Sequence, residues 1–137
     1  GHLYRAVMEG VAMALRHNLE VAAAAGAKVE ELLAIGGATR SPLWLQIKAD
    51  VTGLPLTVSA NPNATPLGAA MLAAIGTGGE VDHLVQTWVQ RAASHHPDPA
   101  AKLRYDRLYQ VYAGLYPALR ESMHGLAEFG RHETESK

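Results

Sequence analysis

The chain has 137 residues, the size of one ordinary domain. Its 12 Lys and Arg nearly balance 13 Asp and Glu, so the formal net charge of −1 gives no electrostatic reason to expect nucleic acid or an anionic membrane as a partner. The absence of cysteine excludes disulfides and thiolate metal sites and suits a cytoplasmic location, which we expect, and no apolar run approaches the roughly 20 residues that span a bilayer.

The N-terminal segment is predicted to be an amphipathic helix over residues 2–25. Apolar residues recur there at steps of three and four, and Gly26 is suited to follow the last turn. The predicted apolar stripe consists of Leu3, Val7, Val11, Leu15, Leu19 and Ala22. The helical register begins at the first residues with no capping residue before it, so we expect the chain to be a fragment of a longer domain.

Short apolar segments then alternate with helices that open on a proline. Residues 31–35 (ELLAI) and 55–59 (PLTVS) are typical of short strands buried on both faces of a parallel sheet. Residues 41–52 and 65–76 begin with Ser-Pro and Thr-Pro, which is a strong helix start. This alternation predicts an α/β fold with parallel strands joined by right-handed crossovers. Two strands alone make a marginal sheet, which again indicates a partial domain.

The remainder of the chain is predicted to be helical. Residues 80–92 (EVDHLVQTWVQRA) are typical of one helix, and HHPDP is typical of a turn. Residues 100–128 form a long predicted helix with a kink or break at Pro117, while the polar residues 131–137 are predicted to be a disordered tail. The apolar face of the long helix comprises Leu103, Leu108, Tyr112, Leu115, Leu119, Met123 and Leu126.

The segment IGGATRSP places Gly36 and Gly37 between the first strand and the second helix. Ligands of α/β sheets bind outside the carboxyl ends of strands, and glycine there lets a ligand reach the backbone. The amides of Ala38 and Thr39 and the helix start at Ser41 offer donors to a phosphate or a nucleotide. The segment matches neither the Walker A loop nor the dinucleotide fingerprint, so from spacing alone a simple tight turn is an equal alternative.

Four segments of the chain resemble the C-terminal domain of the FGGY carbohydrate kinases, which include xylulokinases, gluconokinases, ribulokinases and glycerol kinases. They occur in the order and spacing of that family and are HLYRAVMEG, LLAIGGATRSPLWLQIKADVTGLPLTV, TPLGAAMLAAIGTG and YDRLYQVYAGLYPAL. The resemblance implies that residues 1–130 are a partial ribonuclease-H-like domain of the actin and hexokinase type, lacking its first strands. It also implies that ATP binds between this domain and an N-terminal domain that carries the catalytic aspartate, most of the sugar site and the Mg²⁺-linked carboxylates.

The resemblance further implies which residues contact the nucleotide. They are Gly36, Gly37, Ala38, Ser41, Gly68 and Ala69. The first three would lie beside the α-phosphate and ribose, the serine near the adenine, and the last two would support the pocket. No residue of this chain is implied as catalytic or as a metal ligand. Many members have an acidic residue before LGAA where this chain has NPNATPLGAA, which leaves the choice of sugar open.

These implications predict one wall of the ATP site of a kinase that transfers the γ-phosphoryl group to a sugar or polyol hydroxyl. The expected partners are ATP with Mg²⁺, the sugar or polyol, and the N-terminal domain. The isolated chain is expected to lack kinase activity and to self-associate through the Leu3–Val7–Val11 stripe or a free strand edge. The alternative is a non-catalytic actin-like module with a structural or regulatory role.

Three other features favour structure over chemistry. The adjacent His95 and His96 lack a nearby third ligand for a metal. Glu9 has no partner carboxylate and is interpreted as a cap or surface contact. Four tyrosines at helical spacing favour packing on the preceding helices over base stacking. They are Tyr105, Tyr109, Tyr112 and Tyr116.

Overall fold

The computed structural model describes residues 1–61 and 63–135, with side-chain surroundings described as far as residue 129. Helices and strands alternate through the first half of the chain, and a long helix ends it. The elements are α1 (His2–Ala24), β1 (Leu32–Ala34), a 3-10 helix (Gly37–Arg40), α2 (Pro42–Thr52), β2 (Leu56–Ser59), α3 (Ala64–Gly76), α4 (Val81–Trp88), β3 (Arg91–His95) and α5 (Pro99–Glu135).

The sheet has the order β1–β2–β3. Strands β1 and β2 are parallel, with Leu32 opposite Leu56, and α2 connects them. Leu45 and Ala49 of α2 are buried against Leu56, so this helix covers one face of the parallel pair. The parallel strands and their helical crossover confirm the predicted α/β fold.

The predicted helix over residues 80–92 is wrong in its last four residues. Helix α4 ends at Trp88, and β3 then pairs antiparallel with β2 to give a mixed sheet. The Thr57 and Ser94 hydroxyls hydrogen-bond each other at 3.0 Å across this pair. Pairing with a strand distant in sequence overrides the helical pattern of these residues, because strand formation depends on cross-strand neighbours.

The main core lies between α1, α2 and α5. It comprises Met8, Ala12, Met13, Ile47, Val51, Tyr105 and Tyr109. Tyr105 and Tyr109 are each 2% exposed, which confirms the predicted packing role for these two tyrosines. Tyr112 packs against the edge of the core, whereas Tyr116 is 54% exposed and does not take part.

The predicted stripe of α1 is not the face that reaches this core. Leu3, Val7 and Val11 are 82%, 60% and 46% exposed. Met8, Ala12 and Met13 of α1 face the core instead, and beside them the Glu9 carboxylate accepts a hydrogen bond of 2.8 Å from the hydroxyl of the buried Tyr105. Leu3, Val7 and Val11 are therefore exposed in this chain, as expected, whereas the rest of the stripe (Leu15, Leu19 and Ala22) is half-buried. Glu9 has a structural contact.

Helix α5 continues through Pro117 without the predicted break. The proline removes one hydrogen bond to the carbonyl of Ala113, and that residue is exposed, so water can satisfy the carbonyl. The helix extends to Glu135, through much of the predicted disordered tail over residues 131–137, and residues 136 and 137 lie outside the described part. Within the described ranges, no helix combines the length and apolar character needed to cross a bilayer.

A cluster of charged side chains ties α1 and α2 to α5. Arg16 donates to the Asp106 carboxylate at 2.6 Å and to the Val51 carbonyl at 3.2 Å, and its guanidinium lies 4.2 Å from the ring centre of Tyr109. Lys102 donates to the other oxygen of Asp106 at 2.7 Å. The hydrogen bonds from Lys102 and then Arg16 lower the pKa of Asp106 below its ordinary value. The negative charge of Asp106 is therefore part of the folded structure.

We expect Asp106→Asn to lower the melting temperature near neutral pH, with the difference disappearing in acid. A carboxylate whose folded-state pKa is lowered contributes stability above its unfolded-state pKa of about 3.9, and that contribution is lost as the pH falls through the folded-state value. Thermal melts of both proteins followed by circular dichroism from neutral pH to below that value measure the effect.

The control for this experiment is Glu128→Gln, which removes a carboxylate from the exposed part of α5. Its melting temperature should follow that of the unmodified chain at every pH. A deficit of Asp106→Asn that stays constant into strong acid would contradict the assigned role of the Asp106 charge.

Candidate functional site

A tight turn follows β1 at the carboxyl end of the parallel strands. Gly36 has φ 80° and ψ −170°, a conformation that is essentially restricted to glycine. The amide and the hydroxyl of Thr39 both donate to the Gly36 carbonyl, at 3.1 and 2.7 Å. The turn is thus held by its own residues and leads through the 3-10 helix into α2.

Ser41 caps α2, as the sequence predicted. Its side-chain oxygen accepts a hydrogen bond of 3.4 Å from the Trp44 amide, and its carbonyl accepts one of 3.1 Å from the Leu45 amide. Pro42 occupies the first helical position, where its missing N–H is not needed. The cap joins the end of the glycine turn to a helix that is packed on the sheet.

Neither the backbone conformation nor the packing of the chain requires a glycine at position 37. Its φ is not positive, and a Cβ built on it would meet no heavy atom within 4 Å. Gly53 differs, because its φ is 72° and a Cβ there would lie 2.5 Å from the Lys102 side chain. The open space above Gly37 is therefore room in which a ligand can touch the backbone.

The backbone around Gly37 is suited to bind an anion. The first amides of a helix have no carbonyl partner within that helix, which applies to Gly37 and Ala38 in the 3-10 helix. The N-terminus of α2 follows directly and adds the positive end of its dipole. Arg40, the last residue of the 3-10 helix, is exposed. This arrangement of amide donors, a helix dipole and a cation favours a phosphate-bearing ligand.

Gly68 and Ala69 lie on α3, which starts after the carboxyl end of β2. Because β1 and β2 are parallel neighbours, the loops that follow them open at the same edge of the sheet. Gly68 is half-buried, and a Cβ on it would also meet nothing within 4 Å. The main contacts of α3 are with α4, and among the described residues no hydrogen bond joins α3 to the glycine turn. The participation of these two residues in one pocket with Gly37 remains a prediction.

A pocket of about 430 Å³ opens at this edge of the sheet beside α3. It is lined by Ala60, Asn61, Leu67, Thr87, Trp88 and Gln90. The Ala60 amide donates to the Gln90 carbonyl at 2.9 Å, which ties the loop after β2 to the segment after α4. This pocket was not predicted, because the sequence pattern placed Gln90 in a helix that in the structure ends at Trp88. The polar loop that begins at Ala60, directly after β2, was the available signal.

The described residues do not form a metal site, since no three His, Asp or Glu side chains converge there. His95 lies with Nδ1 3.3 Å from Oε1 of Gln46, and the His96 carbonyl accepts a hydrogen bond of 2.8 Å from the Gln46 side chain. Asp50 accepts hydrogen bonds of 2.8 Å from the same Gln46 side chain and from the Asp98 amide. These residues fix the turn before α5 onto α2.

Comparison with known proteins gives consistent matches across most of the chain. A model of the C-terminal domain of the FGGY family of carbohydrate kinases matches residues 1–77. The xylulose kinase of Bacillus subtilis (strain 168) is 29% identical over 133 residues, which are 96% of this chain and 27% of that protein. The ribulokinase of Mycolicibacterium smegmatis is 39% identical over 118 residues, which are 82% of this chain and 21% of that protein.

Solved structures show the same relationship. The crystal structure of xylulose kinase from Rhodospirillum rubrum matches with a TM-score of 0.79 and 40% identity, over 90% of this chain and 26% of that one. A xyloylose kinase from Brucella ovis matches with a TM-score of 0.78 and 36% identity, over 87% of this chain and 25% of that one. The chain thus spans about a quarter of the length of these relatives.

We expect Ser41→Ala to lower the free energy of unfolding by about 1 kcal/mol, because the side-chain cap of α2 is lost. Urea unfolding followed by circular dichroism measures this change. The matched control is Ser122→Ala in the exposed part of α5, where alanine has the better helix propensity and no loss is expected. Equal losses for the two variants would show that the Ser41 cap does not stabilise the chain.

Proposed function

Because the chain belongs to the FGGY family of carbohydrate kinases, we propose that it forms one wall of the ATP site of a kinase that phosphorylates a hydroxyl of a sugar or polyol. The observation that carries this proposal is an open glycine, Gly37, at the start of the 3-10 helix that follows the carboxyl end of β1. Neither its φ nor its neighbours require glycine there, and its amide has no partner within that helix. A side chain at that position would occupy the space in which a nucleotide approaches the amides.

The turn would hold the nucleotide chiefly through the backbone. Gly36 and Gly37 would lie beside the α-phosphate and ribose, with Ala38 next to them, where the free amides and the dipole of α2 stabilise negative charge. Ser41 would lie near the adenine while it caps α2. Gly68 and Ala69 would support the pocket from α3, at the same edge of the sheet.

The remaining parts of the reaction would come from outside this chain. As the family resemblance implies, we assign the Mg²⁺ ligands, the catalytic aspartate and most of the sugar site to an N-terminal domain of a longer kinase. The described residues of this chain offer no cluster of three metal-binding side chains. Phosphoryl transfer depends mainly on positioning and on neutralising charge. The contribution of this chain would be to position the nucleotide and, on domain closure, to exclude water. We propose a cytoplasmic location, which suits a sequence without cysteine.

A non-catalytic actin-like module is the rival function. It requires a stable fold but no ligand at the glycine turn. The open space at Gly37 favours the kinase, because replacing a glycine that has no positive φ and no close neighbour would cost such a module nothing. Nucleotide binding that depends on this residue separates the two functions.

We expect Gly37→Val to raise the KM for ATP by at least about tenfold in a kinase that contains this segment, with little change in the KM for the sugar. The branched side chain would enter the space beside the phosphate amides, and its Cβ would meet no heavy atom of the chain within 4 Å, so a loss of about 1.4 kcal/mol or more should appear in nucleotide affinity. Steady-state kinetics with each substrate varied in turn measures both constants.

The control is Gly114→Val, at a second glycine whose Cβ would meet nothing within 4 Å. It lies in α5, and both KM values should stay at their original level. A change in Gly37→Val confined to the sugar KM would contradict the proposed nucleotide contact.

The 137-residue chain by itself should have no kinase activity. The reason is that its described residues supply no cluster of three metal-binding side chains, and that the family resemblance implies a catalytic aspartate outside this chain. Phosphoryl transfer from ATP with Mg²⁺ to a panel of pentuloses, hexonates and polyols should stay at background, with a complete family kinase as positive control. Turnover by the chain alone would contradict the assignment of the Mg²⁺ ligands and the catalytic aspartate to another domain.

A further inference from the structure

The C-terminal half of α5 presents a row of apolar side chains that no other described residue covers. They are Leu115, Tyr116, Leu119, Met123, Leu126 and Phe129, called the α5 seam below. Each is between 48% and 74% exposed. Their spacing of three and four residues places them on one side of the helix, and no charged residue interrupts the row.

The first half of the α5 seam borders a groove. This cavity of about 620 Å³ lies where α5 diverges from α1, and it falls within the size range of pockets that hold ligand-sized groups. Helix α1 contributes Ala14, His17 and Asn18 to its wall. Helix α5 contributes a stretch from Tyr112 to Met123. The second half of the seam, with Leu126 and Phe129, lies beyond the groove lining. Helix α5 therefore lines part of the groove and, beyond it, carries the exposed side chains of Leu126 and Phe129, called the tip below.

We propose that the α5 seam is the contact surface between two copies of this chain, packed antiparallel about a two-fold axis. In such a contact the same surface of each copy meets the other in reverse order. The tip of one copy, Leu126 and Phe129, then enters the groove of its partner copy, and the same contact occurs a second time. Parallel packing would bring tip against tip and leave both grooves empty.

The dimensions of the α5 seam suit a dimer. Residues 112–129 extend for about 27 Å at 1.5 Å per residue. Its exposed aromatic and aliphatic side chains would bury on the order of 700 Å² per copy, close to the roughly 800 Å² per partner of a standard interface. Ala118 and Gly125 lie seven residues apart on one flank of the seam, where their small size lets two helix backbones approach closely.

The predicted stripe of Leu3, Val7 and Val11 on α1 is a competing surface for self-association, since it is also exposed. We favour the α5 seam because it carries both halves of a self-complementary contact. The two surfaces lie on different helices, so substitutions in one leave the other intact and an experiment can tell them apart.

The first test compares Leu126→Glu with Gln110→Glu in the 137-residue chain. Both variants add one negative charge to α5, but residue 110 is exposed and lies about 160° round the helix from Leu126, on the side opposite the seam. Sedimentation equilibrium at micromolar concentrations should show a dimer for the unmodified chain and for Gln110→Glu. Leu126→Glu should raise the dimer Kd by at least about a hundredfold, because each dimer loses two buried leucines and gains two charges at the contact.

Circular dichroism shows whether each variant retains the helical content of the unmodified chain, so that a loss of folding is not taken for a loss of contact. A monomeric unmodified chain would overturn the proposal and assign the seam to another partner. Association that Leu126→Glu leaves unchanged would also overturn it and would point to the stripe on α1.

The second test reports the orientation of the two helices. The sequence contains no cysteine, so a single introduced thiol has no competing partner. A mixture of Leu115→Cys and Leu126→Cys chains should form a mixed disulfide under mild oxidation, since antiparallel packing places these residues opposite each other. Each variant alone should stay uncrosslinked, because like residues would be offset by about 16 Å along the axis, beyond disulfide reach. A disulfide between two Leu126→Cys chains would show parallel packing and overturn the proposal.

Discussion

The structure depends on the burial of α2 on two sides at once. Ile47 and Val51 of this helix pack into the core shared with α1 and α5, while Leu45 and Ala49 pack on the sheet. A helix buried on two faces has little freedom to rotate or slide, because interiors are closely packed and displacement on one side would open a cavity. The position of α2 in turn sets the position of the glycine turn at its N-terminus. The two halves of the domain, the sheet and the helical layer, are connected chiefly through this one element.

The candidate site differs from the core in the source of its order. The turn is held by local hydrogen bonds, from Thr39 to Gly36 and from the Trp44 amide to Ser41, and needs no support from distant side chains. These hydrogen bonds form without a ligand, so we expect little ordering of the backbone to be required on binding. Gly37 adds open space to this rigid frame. The chemistry that we propose for this turn is recognition by main-chain groups, which is insensitive to side-chain identity apart from the need for a small residue.

Local signals made the turn and α2 predictable from the sequence, whereas contacts between distant residues did not show there. The adjacent Ser41 and Pro42 predict the start of a helix, and the structure confirms that Ser41 caps α2. Strand β3 is stabilised by partners far away in sequence, such as Thr57 opposite Ser94, so its residues carry no comparable local pattern. The stripe of α1 illustrates a related limit. Periodicity predicts that a helix has an apolar face but not which face a neighbour such as Tyr105 selects. The open space beside Gly37 likewise depends on where the rest of the chain lies, so two adjacent glycines in the sequence do not reveal it.

The proline in α5 has a consequence for the cooperativity of the fold. Pro117 donates no hydrogen bond to the Ala113 carbonyl, so one backbone hydrogen bond of α5 is missing there. This position separates the part of the helix before Pro117, called the anchored half because it packs on the core, from the part after it, called the projecting half. Helices unfold from their ends, and the loss of one backbone hydrogen bond favours the loss of the next. Because one of these bonds is missing at Pro117, this cooperativity is weaker there. The projecting half can therefore open and close as a unit of its own, while the anchored half, with Tyr105 and Tyr109 in the core, unfolds only with the rest of the domain.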